Sequence, residues 1–458
     1  MPGIQDILAI GRRALLAQQI GLQVTGNNIA NAQNPDYSRQ RVEFNQAPYL
    51  DTGMFKFGTG VEVQTIRRMR DEIYDGQFWL ENATLGRWEV GQKYAALVEG
   101  AFNDLRGTGL SQLLNEFWNA WMELGNHPED PSMRRNVKMR AEQLASKFHY
   151  LDGQLRDIRR QAKQELQSDI QRVNQILKQI AQLNKEISGN STASYPNNTL
   201  LDERDALLDE LSKYVDVTIR QNENGTVTVL SSYHVLVDQT MAFEFQIRSE
   251  NQNGEEQIAL LLYNGEEVEL EGGKLQGLID LIQEQIPAFL NQLDQIARNL
   301  ILEVNKLHEQ FYTLDGRTGI SFFATDALTA GTIQLSTDIQ NDVANIAISK
   351  NGQKGDGSGA VDIFKLRDQR VLNDGTSTLN EAFESLVGEI GQFALHMERN
   401  AENQANVVHM IENRRSSVMG VNLEEEFVNL IRYQNAFGAA SKVIQVVDEM
   451  MQTVLAMV

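Results

Sequence analysis

Chemistry in this chain could rest on its histidines, one carboxylate cluster and two glycine-rich stretches. The six histidines are His127, His149, His234, His308, His396 and His409, and none stands in the His-Glu-x-x-His spacing of a zinc hydrolase. His409 and Glu412 lie one helical turn apart, as a ligand pair would, but no third ligand type lies nearby. The pattern predicts a helix-surface histidine. The stretch Gly-Asp-Gly-Ser-Gly over 355–359 resembles a nucleophile elbow around Ser358, yet Asp356 stands where the motif needs glycine, and the strand-to-helix frame is missing. Glu-Gly-Gly-Lys at 271–274 lacks the Ser/Thr and the glycine spacing of a phosphate loop. Asp202 and Asp205 begin a helix, where carboxylates favour the positive end of the helix dipole, and they read as solvated charges. These residues assign no catalytic group, cofactor or metal, and the expectation is a protein that is not an enzyme.

The chain is acidic, with 62 Asp and Glu against 41 Lys and Arg and a net charge of −21 over 458 residues. Such a surface repels phosphate backbones and anionic bilayers, which disfavours nucleic acid and membrane partners. With no cysteine there is neither a disulfide nor a thiolate. No run of 18 apolar residues spans a membrane, and the N-terminal apolar run is broken by Asp6, Gly11 and the Arg12-Arg13 pair, unlike a cleavable signal.

The elements that would position any site are mostly helices. Ile4, Leu8, Gly11, Leu15, Gln18, Leu22, Thr25 and Ile29 repeat at four and three, a heptad seam. At the other end Leu423, Phe427, Leu430, Gln434 and Phe437 lead into Ala436, Ala440, Val443, Val447, Met450, Val454 and Met457 at the same spacing. Asn422 caps this helix, and Glu424, Glu425 and Glu426 suit its first turn. Helical spacing also runs from Pro131 to about Ser188, as one very long helix or two, and helices follow at about 200–214, 276–313 and 378–415. Between Val215 and Leu270 the period changes to two, with an Asn224-Gly225 turn, which predicts hairpin strands. Residues 316–359 are irregular, with a surface loop over 351–360.

The stretch from Asn27 to Phe44, "NNIANAQNPDYSRQRVEF", resembles the N-terminal signature of the bacterial flagellar axial proteins, the rod, hook and hook-associated family. Residues Gly420–Val458 resemble the matching C-terminal signature, and Tyr37–Gln40 resembles the hook-associated members in particular. Residues 196–217 and 272–311 resemble inner segments of those members. Asp36 departs from the glycine common before the aromatic residue, and Gly438 interrupts the last helix. Many members carry a further outer domain, and this chain is shorter than they are.

The nested periods predict a mainly α fold with inserted β, in three parts of which two are discontinuous: a terminal coiled coil (1–50 with 420–458), a helical middle domain (51–214 with 273–419) and an antiparallel β insertion (215–272). The nesting predicts that the insertion projects furthest out. The resemblance implies an adaptor ring joining hook to filament, exported without a cleavable signal by the flagellar type III route. Partners would be copies of itself, the hook protein, a second junction protein and an export chaperone at the C-terminal helix. The hook protein itself, a secreted coiled-coil adhesin or effector, and a hydrolase using an outer domain are the other readings. Subunit packing is assigned to Ile4, Leu8, Leu15, Leu22, Asn28, Ile29, Asn31, Pro35, Tyr37 and Arg39, and to Leu423, Phe427, Leu430, Phe437, Val443, Val447, Met450 and Val454. Pro35 blocks helix continuation, so the asparagine-rich stretch redirects the chain outward.

Overall fold

The computed structural model describes residues 3–51, 56–103, 109–189, 197–252, 255–372 and 375–456. Met457 and most of the loop expected at 188–198 lie outside the described residues. The N-terminal seam forms α1 (Ile4–Ala30), and the chain then turns into a long hairpin. Its outer strands are β1 (Gln40–Gln46) and β4 (Val61–Arg68), and its inner strands are β2 (Leu50–Asp51) and β3 (Lys56–Phe57). The hairpin lies along α1: Arg13 donates to Thr59 Oγ1 at 2.9 Å, and Gly60 sits against Ile10. A boundary at residue 50 therefore cuts through one hairpin.

Helices α2 (Glu72–Phe102), α3 (Leu110–Asn126) and α4 (Pro131–Gly189) follow. The 59 residues from Pro131 form one unbroken helix, about 90 Å long. Its buried positions, from Val137 through Leu144, Leu151, Leu155 and Ala162 to Ile187, hold helical spacing throughout. Next come α5 (Asn198–Tyr214), a sheet of β5 (Thr218–Gln221), β6 (Val227–Ser231), β7 (His234–Asp238) and β8 (Met241–Ala242), and a separate hairpin of β9 (Phe245–Gln252) and β10 (Glu255–Leu262). Helix α6 (Gly273–Asp280) passes through a π-helical turn at Leu281–Gln285 into α7 (Ile286–His308). After short α8 (Thr337–Asn341) and α9 (Ser358–Lys365) come α10 (Leu379–Met419), opened by a Thr378/Glu381 capping box, and α11 (Leu423–Ala456). This is a mainly α fold with inserted antiparallel β.

The β insertion does not project furthest out. It lies against the C-terminal half of α4: Asn174 exchanges two hydrogen bonds with the Phe245 backbone, and Asn184 does the same with Val227. Arg204 on α5 donates to Gly225 O at 2.8 Å. Burial of Val227, Val229, Phe245, Ile258 and Leu260 against the helices outweighs any tendency of the strands to stand free. The opposite end of α4 carries residues 309–357, which pack Phe322 and Phe323 onto Phe117 and Phe322 onto Trp121, in one core with Ile333, Ile346 and Phe148. Buried His308 fastens this cap: Nδ1 donates to Ile320 O at 2.6 Å, and Nε2 accepts from Ala347 N at 2.8 Å. Burial, the main cause, holds the imidazole neutral and lowers its pKa to about 4.

Candidate assembly interface at the chain termini

Helices α1 and α11 pack on each other. The buried line of α11 is Glu426, Tyr433, Ala440 and Val447, one residue every seven. That of α1 is Gly11, Ala17, Gly21, Val24, Thr25 and Asn28. Gly21 makes room for Tyr433, since a Cβ there would stand 3.0 Å from the ring, and Gly11 does the same for Ile444. This is a heptad pairing brought close by small residues on one side.

Ile4, Leu8, Leu15, Leu22 and Ile29 are half-buried and flank the α1 line one step round the helix. Of the eight α11 residues assigned to subunit packing, only Val447 is buried, and Leu430 is half-buried. Leu423, Phe427, Phe437, Val443, Met450 and Val454 are exposed, Val443 at the edge of the α1 contact beside Gly11 and Val454 on the seven-residue line beyond its last buried member. Val428, Ile431, Val446 and Leu455 join them. The last helix thus has two apolar faces, and only one is covered within the chain. Gly438 has no atom near enough to meet an added Cβ.

The turn after α1 is held by Asn28, which is 1% exposed. Its Nδ2 donates to Gln40 O at 2.8 Å and to Glu426 Oε2 at 3.0 Å, and its Oδ1 accepts from Tyr37 Oη at 2.7 Å and Gln40 N at 3.0 Å. Four bonds saturate one buried amide and join α1, the turn, β1 and α11. Asn31 caps α1 by donating to Asn27 O, Asn34 Oδ1 accepts from Asp36 N, and Pro35 stands exposed at the bend. Arg39 meets Glu426 at 2.7 Å and Glu425 at 2.8 Å. Burial works to lower the Arg39 pKa, but the two carboxylates more than offset it. Burial, then the Asp202 and Glu426 charges, push the Tyr37 phenol up. Asn422 Oδ1 accepts from Glu424 N and Glu425 N, the expected cap. Glu426 is 2% exposed and serves as the buried partner of Asn28 and Arg39, beyond its part in the helix dipole.

Behind this turn lies an ionic cluster that corrects the reading of Asp202 and Asp205 as solvated. Both are buried. Arg68 reaches Asp202 at 2.7 Å and Asp205 at 2.8 Å, and Arg70 reaches Asp205 at 3.2 Å and Asp75 at 2.9 Å. Arg415 on α10 reaches Asp75 at 2.6 Å and Asp209 at 2.7 Å, and Trp79 Nε1 donates to Asp209 at 2.6 Å. With Arg204, four guanidinium groups face four carboxylates. Burial works to raise the Asp205 pKa, but Arg70, Arg68 and Arg204 overcome it and hold the group ionised. Burial raises Asp209, despite Arg415. The cluster locks hairpin, α2, α5 and α10 into one joint.

The other chemical candidates are structural as well. Ser358 opens α9 and its N–H donates to Asp356, while His409 meets Glu412 at 3.0 Å on an exposed face. Among the described residues no group of three or more His, Asp or Glu could hold a metal ion, and no helix is long and apolar enough to cross a membrane.

Residues 95–323, half of the chain, match the family profile described as flagellar hook-associated protein FlgK helical domain. The chain belongs to the FlgK family of flagellar hook-associated proteins. Residues 408–457 match the flagellar basal body rod FlgEFG protein C-terminal profile, which covers the exposed stripe of α11. The Bacillus subtilis flagellar hook-associated protein 1 is 29% identical over 98% of this chain and 97% of its own length. The Salmonella typhimurium protein of that name is 25% identical over 96% and 98%. The flagellar hook junction protein FlgK of Burkholderia pseudomallei shares the fold, with a TM-score of 0.68 at 15% identity over 75% of this chain and all of that one. FlgK membership makes the chain a structural protein of the flagellum.

Proposed function

We propose that this FlgK-family chain is a non-catalytic subunit of a ring between hook and filament, and that the filament cannot be assembled without it. One observation carries the reading: the uncovered apolar face of α11, from Leu423 to Leu455, runs beside a covered heptad seam. An isolated chain leaves that face in water. Neighbouring copies stacked on it gain about 25 cal/mol for each Å² buried. The axial unit is α1, α11 and the hairpin β1–β4. The helices from α2 to α10 form the second unit, and β5–β10 lean on it. Leu423, Phe427, Phe437, Val443, Met450 and Val454 pack against other subunits, while Asn28, Asn31, Pro35, Tyr37 and Arg39 set the angle at which the axial unit leaves the joint.

The same stripe suits an export chaperone, which would shield α11 until the chain has passed unfolded through the flagellar export channel. Hook protein below and a second junction protein above complete the set of partners. The test replaces Phe427 and Val454 with aspartate. Both variants should keep the monomer's circular dichroism and be absent from purified flagella, with few filaments on the cells. Normal filaments containing the variant chain would overturn the reading.

A further inference from the structure

Four asparagines in this chain precede glycine, which has no side chain to shield its own backbone nitrogen. In such a pair the glycine nitrogen can attack the asparagine side-chain carbon and close a five-membered imide. Proximity favours the step, since both reacting atoms sit in one dipeptide. Asn253-Gly254 lies outside the described residues. The other three pairs are Asn224-Gly225, Asn264-Gly265 and Asn351-Gly352, all exposed, with glycine φ of 80°, 80° and 81°. Sequence, exposure and glycine conformation are alike in all three, and hydrogen bonding separates them.

Gly225 N donates to Asn222 O at 3.0 Å, and Gly225 O accepts from buried Arg204 at 2.8 Å. Gly265 N donates to Leu262 O at 2.8 Å. Both nitrogens close a four-residue turn, and that turn must open before either can attack. Gly352 N makes no hydrogen bond among the described residues. Its target is also prepared: Asn351 Oδ1 accepts from Gln353 N at 2.9 Å and from Ser349 Oγ at 3.2 Å. Negative charge develops on that oxygen as Cγ becomes tetrahedral, and the two donors stabilise it. The carboxylate beside it, Asp356, is itself bound by Lys350 N at 2.8 Å, Ser358 N at 3.0 Å, and Ser349 Oγ and Asn351 N at 3.3 Å, which offsets its repulsion. Asn224 Oδ1 has two donors as well, both from Thr226, so the free glycine nitrogen is what sets Asn351 apart.

We propose that Asn351 is a site of spontaneous deamidation in the folded chain. Gly352 N gives its proton to water and bonds to Asn351 Cγ, the bond from Cγ to Nδ2 breaks, and ammonia leaves. Water then opens the imide at either carbonyl, giving aspartate or isoaspartate, the latter with the backbone running through the former side chain. One water is consumed, one ammonia is released and no electron is transferred. The new carboxylate lies beside Asp356 and shares its Ser349 donor, so the loop that leads into α9 carries two like charges where it carried one.

Ageing of the purified full-length chain in mildly alkaline buffer tests it. Peptide mass spectrometry with chromatographic separation distinguishes asparagine, aspartate and isoaspartate at each site. Acid should form at 351 at least tenfold faster than at 224 or 264, as both products. In urea sufficient to unfold the chain the turns are gone, and the three rates should agree within about threefold. Asn351→Gln, whose longer side chain closes the ring far more slowly, should remove most of the ammonia that the folded wild-type chain releases from these three sites. A folded rate at 351 no higher than at 224 or 264 overturns the proposal. An advantage at 351 that persists unchanged in urea also overturns it, since the neighbouring sequence and not the fold would then set the rate.

Discussion

Removal of the Arg415 guanidinium would strike the joint between the axial and helical parts. Arg415 is 8% exposed and donates to Asp75 at 2.6 Å and to Asp209 at 2.7 and 3.1 Å, and it lies 4.7 Å from the centre of the Phe78 ring. In Arg415→Ala, Asp75 keeps Arg70 at 2.9 and 3.0 Å. Asp209 keeps only neutral Trp79 among the partners that now hold it. Asp209 loses its pair, but its side chain is 26% exposed, so water offsets part of the cost, which is about 2 kcal/mol rather than that of a fully buried pair. Loss of the contact over Phe78 adds about 1 kcal/mol, so the deficit near pH 7.5 is about 3 kcal/mol. Adding Asp209→Asn removes the stranded charge and should recover about half. The deficit also depends on pH. Burial already raises the Asp209 pKa, and without Arg415 it rises further above the unfolded value. A carboxyl raised in the folded state contributes stability below its folded pKa and loses it as pH rises through that value. The gap between wild type and variant therefore narrows as pH falls toward 4. Urea unfolding, with hydrogen exchange at α5 and α10, reads all three effects. Equal costs for Arg415→Ala and the double variant, with no pH dependence of the gap, would refute the ionic account and leave a packing defect alone.

Three further outcomes follow from the same structure. His308 is neutral and buried, with a pKa lowered to about 4. Its contribution is complete above the unfolded value of about 6.5 and is lost as pH falls through about 4, a difference of about 3 kcal/mol. The urea midpoint followed by Trp121 fluorescence should fall over that window in wild type and much less in His308→Gln. Asn28→Asp would set a carboxylate 3.0 Å from Glu426 and give up donors to Gln40 and Glu426. It should reduce filament-bearing cells at least tenfold, and Glu426→Gln added to it should rescue part of the loss, whereas wild-type filament counts would remove the amide from the account. Lastly, among the described residues α1 packs mainly on α11 and the hairpin, so amides of 4–29 in the free monomer should exchange at least a hundredfold faster than those of α4. Equal protection would mean that the axial coil is already folded before assembly.

The sequence makes the long helices legible because their buried positions keep one period, as from Val137 to Ile187. The alternation in 215–272 likewise announces strands. The hairpin β1–β4 escapes this reading because Val42 is the one residue of β1 buried in the chain and a bulge at Glu43/Phe44 breaks its register. In α11 a search for large apolar residues finds the outward face, since Glu426 and Tyr433 lie on the covered one. Sevenfold spacing through Tyr433, Ala440 and Val447 is the signal that could have found it. Asp202 and Asp205 look solvated because Arg68 and Arg70 lie over 130 residues away, and only the fold brings them together. The distal cap has no period, so nothing local reveals that Phe322 and Phe323 are fully buried.

The central claim is a structural place between hook and filament, and electron microscopy of a deletion strain tests it most directly. Cells lacking the chain should carry hooks without filaments and release filament subunits into the medium. Gold-labelled antibody to the restored chain should mark the boundary between hook and filament. Normal filaments on the deletion strain, or label elsewhere on complemented cells, would contradict the account.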